Sequence, residues 1–104
     1  YYKFMVKHVI LWKLSDSLTP DEKNRVKKEI KAGLEGLKGK VPGIVEIKVN
    51  IDGLETSNAD VMLDSTFTDY DALKSYSVNP LHVEVANTKV RPFTSSRTCM
   101  DYIL

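Results

Sequence analysis

The chain has 104 residues, enough for one domain, and its 15 basic against 14 acidic residues leave a formal net charge of +1. That balance speaks against a nucleic-acid module, which carries a basic excess or stripe. A single cysteine, Cys99, excludes an intrachain disulfide and any site built from cysteines alone.

The first eight residues lack the apolar core and small-residue cleavage site of a secretory signal. The apolar runs are only a few residues long, far short of the ~20 that cross a bilayer. The expectation is a reduced, cytoplasmic protein that binds neither membrane nor nucleic acid.

In chain order, Phe4 to Lys13 alternates with a period of two. Phe4, Val6, His8, Ile10 and Trp12 point one way and Met5, Lys7, Val9, Leu11 and Lys13 the other, so both faces of this strand carry large apolar side chains. Thr19-Pro20-Asp21-Glu22 reads as a helix start: Thr19 caps, Pro20 takes the first helical position and Glu22 closes a capping box. Val26, Ile30, Leu34 and Leu37 then form a stripe suited to a sheet. The run Lys27-Lys28 with Lys31 is the solvated side of that helix. Gly33 and Gly36 weaken the helix, and Gly39 with Pro42 ends it.

Ile44 to Ile51 is a second strand, with Val45, Ile47, Val49 and Ile51 on one face. A turn-rich stretch leads to a third strand, Asp60 to Phe67, giving an antiparallel hairpin. Thr68 and Asp71 resemble a second capping box, opening a helix through Tyr76. Asn79-Pro80 interrupts it, a further helical turn or two runs to about Lys89, and Pro92 imposes an extended entry into a last strand, Phe93 to Tyr102.

The fold class is therefore α+β, a ferredoxin-like β-α-β-β-α-β arrangement in one domain over residues 1–104, with a four-stranded antiparallel sheet and its helices on one face. The other face keeps Val9, Leu11, Met62, Met100 and the flank of Tyr102. At about 25 cal/mol per Å² of apolar surface, burying it against an identical sheet is worth several kcal/mol, so a twofold homodimer is expected.

Three segments, Val6 to Leu14, Asn79 to Val83 and Ser96 to Tyr102, resemble the stress-responsive A/B-barrel (Dabb) family in the order and element pattern of that family. The resemblance implies a dimeric α+β barrel in which two sheets pack face to face. Members differ in what they do. In the plant olivetolic acid cyclases of this group, an intramolecular aldol condensation takes place in a cleft between sheet and helices. By that resemblance the strand-one histidine falls on His8, the histidine after the second-helix proline on His82, the tyrosine on Tyr76 and the last-strand aspartate on Asp101. The third-strand histidine of those enzymes falls on Val61, and their first-helix aromatics near Val26, Lys27 and Ile30, so a different pocket is expected. Some relatives hold magnesium through backbone carbonyls near Lys38, Val41 and Ile44, which leaves no side-chain signature.

The residues themselves support two readings. In the first, His82, His8, Tyr76 and Asp101 are catalytic: Asp101 orients His8, Tyr76 donates to a carbonyl, and His82 abstracts a proton α to it. Ile10, Trp12, Leu63 and Arg97 then bind a small carbonyl-type ligand, with Arg97 as the cation, in cofactor-free aldol, cyclase or isomerase chemistry. In the second, His8–Asp101 is a buried structural pair, His82 packs at a helix joint, Trp12 is core, and the chain is a non-catalytic stress or accessory protein with a closed cleft. Two histidines and an aspartate are suitable ligands for zinc or iron. No local ligand spacing joins them, and Cys99 reads as an inert strand thiol, so no transition-metal centre is expected.

Overall fold

The computed structural model describes residues 4–104. Strand β1 spans Val6–Leu14, helix α1 Pro20–Glu35, β2 Ile44–Asn50, β3 Val61–Phe67, α2 Tyr70–Val78, α3 Pro80–Val85 and β4 Thr94–Ile103. The strands form one antiparallel sheet in the order β2-β3-β1-β4. This is the ferredoxin-like arrangement expected from the order of elements. No helix among the described residues is long and apolar enough to cross a membrane.

Helix α1 begins as its sequence dictates. The Thr19 hydroxyl accepts from the Glu22 N–H and the Glu22 carboxylate accepts from the Thr19 N–H, satisfying two donors that the first turn otherwise leaves free. Its Val26, Ile30 and Leu34 are buried against the sheet, where Ile47 and Val49 of β2, Val61, Leu63 and Phe67 of β3 and Val6, Ile10 and Trp12 of β1 complete the core. The helix proper ends at Glu35, and turns carry the chain on to Lys40. Gly33 has a packing role besides its cost in helix stability: a Cβ there would lie 2.9 Å from Val85 Cγ1, so the absent side chain lets α3 close onto α1.

Three local expectations are corrected. Val45 does not share the buried face of β2: the register slips between Ile44 and Glu46, and Val45 sits exposed at that bulge. Helix α2 is capped by Asp69, whose carboxylate accepts from the Ala72 N–H, rather than by Thr68 with Asp71. The Thr68 N–H instead bonds the Gly43 carbonyl, tying the hairpin start to the helix start. Pro92 does not impose an extended entry, because Arg91 is helical and Arg91–Phe93 forms a 3-10 turn, so the chain becomes extended only at Thr94.

The open face of the sheet carries the expected apolar side chains, with Leu11, Met100 and Tyr102 exposed and Val9 and Met62 half-buried. It is more mixed than the alternation suggests. Lys7 donates to Asp64 at 2.8 Å across this face, and Glu46 and Lys48 lie on it at the β2 side.

Candidate functional site

Beneath the helices, a cavity of about 170 Å³ opens between the inner face of the sheet and α2–α3. Its floor is His8, Ile10 and Trp12 of β1 with Leu63 of β3, and its far wall is Tyr76 and His82. Arg97 of β4 lines its side. The residues expected to bind a ligand and three of the four expected to act on it therefore meet in one place. The fourth, Asp101, stands behind His8.

His8 is brought there by the pleat of β1, which turns it inward with Val6, Ile10 and Trp12. Its backbone carbonyl accepts from Ser65 Oγ at 2.8 Å, and its ring stands edge-on to Phe67 and Tyr76. Asp101 is the direct cross-strand partner of His8 on β4, and its Oδ1 lies 2.5 Å from His8 Nδ1. A carboxylate on one ring nitrogen sets the tautomer and leaves Nε2 for other work.

The break at Asn79 places the second histidine. Asn79 is extended, its side chain accepts from the Leu81 N–H, and Pro80 starts α3 afresh in a new direction. His82 then lies over Tyr76 with ring centroids 4.1 Å apart. Each ring carries one unpaired atom: Tyr76 Oη and His82 Nδ1 are buried and find no hydrogen-bond partner among the described residues. Such atoms are rare in native proteins and cost about 1–3 kcal/mol each when left unpaired. Burial pushes the Tyr76 phenol far above its usual range, so it stays protonated and is a donor. Burial is also the main cause that holds His82 below the usual imidazole range, helped by the charges of His8, Arg91 and Arg97 against the opposing pull of the Ser77 backbone. His82 is therefore a neutral base near pH 7.

Arg91 is a cavity-lining residue that sequence reasoning missed. It lines the cavity from the end of a π-helical stretch, Ala86–Val90, and its guanidinium donates to Asn87 Oδ1. Wide turns of this kind recur at functional sites, but their sequence resembles ordinary helix. Cys99 is exposed on an edge strand rather than packed within the sheet. Partial burial and the neighbouring Asp101 push its thiol up, and Arg97 only partly offsets them. Its Sγ lies 3.8 Å from His8 Nδ1 and 3.5 Å from Asp101 Oδ1.

The stress-responsive A/B-barrel domain model matches residues 6–104. The chain belongs to that family. Among solved structures, a dimeric Bacteroides fragilis protein of unknown function and ferredoxin-like fold shares 32% identity over 100% of both chains, with a TM-score of 0.91. A protein of Arabidopsis thaliana matches at 23% identity and TM-score 0.70, over 93% of this chain and 92% of its own. A hydroxynitrile lyase from Passiflora edulis matches at 16% identity and TM-score 0.74, over 99% of this chain and 95% of its own. The last two show a shared fold. No functionally curated protein matches the sequence. Within this A/B-barrel domain, the cavity is lined by the unpaired Tyr76 Oη and His82 Nδ1 together with the partnered His8 and Arg91.

Proposed function

We propose that this A/B-barrel chain is a homodimeric, cofactor-free acid–base protein that binds a small carbonyl compound in the cavity between its sheet and helices. The observation that carries the reading is the pair of orphaned polar atoms, Tyr76 Oη and His82 Nδ1, on rings stacked against each other at the cavity wall. A carbonyl oxygen accepting from Tyr76 would relieve one orphan. His82, held neutral, would take the α-proton, and the phenol would stabilise the enolate oxygen that forms. His8, with Nδ1 held by Asp101, presents Nε2 as the second acid–base group for aldol, cyclase or isomerase steps. Arg97 supplies a cation at the side of the cavity. The cavity is below the ~300 Å³ of ordinary ligand pockets, which points to a compact substrate.

The homodimer rests on the exposed apolar side chains of the open sheet face, and it is supported by the dimeric state named for the Bacteroides fragilis relative. Light scattering on the chain at micromolar concentration should give twice the chain mass, and a monomer would remove the dimer from the proposal.

The chemistry is tested by exchange of α-protons of small ketones and aldehydes in heavy water. Exchange should exceed the buffer rate and fall by about 10²–10⁴-fold in His82→Gln and Tyr76→Phe. Absence of exchange, with no thermal stabilisation by the same compounds, would leave the alternative reading of a non-catalytic accessory protein with a structural cleft.

A further inference from the structure

We propose that His8, Cys99 and Asp101 form a binding site for one borderline-soft divalent cation, of the zinc or cobalt(II) class. Sequence spacing hides this trio, because its members lie on two strands. The β1–β4 register assembles it: His8 pairs with Asp101, Ile10 pairs with Cys99, and all three project to the same face.

One nitrogen, one sulfur and one carboxylate oxygen lie within 4.8 Å of one another. Ligands at zinc distances of about 2.0–2.3 Å in a tetrahedron lie about 3.3–3.7 Å apart. The Cys99–Asp101 separation of 3.5 Å and the Cys99–His8 separation of 3.8 Å match that spacing within about 0.1 Å. The third separation, 2.5 Å between His8 Nδ1 and Asp101 Oδ1, is a hydrogen bond. A cation takes the place of the shared proton and the pair opens by under about 1 Å, which the partly exposed Asp101 side chain can accommodate by rotation.

The charges fit as well. A thiolate and a carboxylate neutralise a dication, so the nearby Arg97 meets no net positive charge. The ligand set also selects the metal class: a thiolate with imidazole favours zinc or cobalt, whereas magnesium and calcium take oxygen ligands. Three protein ligands leave the fourth position open, as in catalytic rather than structural sites.

The inference does not rest on the acid–base reading, because binding is measured with no substrate present. The metal-free protein is titrated with cobalt(II) and then with zinc. The expected result is one cobalt per chain, a thiolate-to-cobalt charge-transfer band in the near ultraviolet, tetrahedral visible bands, and displacement by zinc. Cys99→Ser should abolish the charge-transfer band. Asp101→Asn should weaken binding by at least the tenfold that loss of even an outer-shell partner brings. Cobalt bound without a thiolate band, or a complex unchanged in both variants, would overturn the site. So would a complex lost in His82→Gln, which would place the metal on the other histidine. Cys99 is exposed, so Cys99→Ser carries the test should Asp101→Asn not fold.

Discussion

The sheet is two different surfaces under one set of helices. Over β2, β3 and the inner side of β1 it is dry: Val26, Ile30, Val49 and Phe67 are fully buried, with Val61 and Leu63 almost so. Over β4 nearly every residue is exposed, and the inward-facing positions include Arg97, Cys99 and Asp101. His8 stands on the line between the two. The dry half supplies the burial that stabilises the domain, while the wet half supplies charge, a thiol and a carboxylate at little packing gain. Reactive groups sit where they remain reachable, and the neighbouring apolar half keeps them in place.

The largest expected effect separates the two halves directly. Phe67→Ala, which empties a fully buried aromatic site beside His8 and Tyr76, should lower the unfolding free energy by about 3–5 kcal/mol. Cys99→Ser, on the exposed strand, should stay within about 0.5 kcal/mol without metal. Urea unfolding of both checks the contrast, and equal costs would dissolve it. A somewhat smaller loss, about 2 kcal/mol, is expected for Gly43→Ala at the junction of the dry hairpin and α2. Gly43 has φ +89°, and a Cβ there would lie 2.5 Å from Ala72 Cβ. Gly39→Ala has a similar φ of +84° but no atom within 4 Å, so it separates the backbone cost from the clash.

The dry half was also the legible half. The α1 stripe and the alternation of β1 and β3 state their burial directly, because one period decides which side chains meet the sheet. The wet half depended on register. Nothing local in the sequence says that Cys99 stands beside His8, since the inward side of β4 carries Arg97, Cys99 and Asp101 in place of a buried apolar stripe that would pin the register. The pairing of His8 with Asp101 was reachable through the family resemblance. Arg91 was not, because its position depends on a wide helical turn. The bulge at Val45 escaped for a related reason: an apolar residue in an alternating run looks buried until the extra residue is seen.

The free edge of β2 offers a smaller test on the dry side. Lys31 donates to the Val49 carbonyl at 2.7 Å, and the Val49 N–H donates to Glu35 at 2.8 Å, so two α1 side chains close one step of that edge. Burial acts against the Glu35 carboxylate, but Lys31 and the Val49 N–H outweigh it and hold its pKa below the usual range. A depressed carboxylate contributes stability that is present above the unfolded pKa and lost as pH falls through the folded one. Glu35→Gln should cost about 1 kcal/mol at pH 7, and the difference from the parent should shrink on acidification below about pH 4.5. A difference that persists unchanged into acid would mean that Glu35 acts by packing alone.

The smallest expected effect lies at the boundary of the two halves. His82 faces Tyr76 and is held below its ordinary pKa chiefly by burial, with His8, Arg91 and Arg97 adding to it. Near and below pH 6.5 the unfolded chain takes up a proton that folded His82 resists. Its contribution is therefore fully present above that pH and falls away as pH drops towards the folded pKa. In His82→Gln this part of the acid slope should vanish, so the parent's stability relative to the variant should decline as the pH falls below about 6.5. Any exchange activity should follow the same group, its acid limb lying below pH 6.5 because the neutral imidazole is the working form. An acid limb at or above pH 6.5 would mean that a desolvated, neutral His82 is not the working base, and would take that role away from the cavity wall.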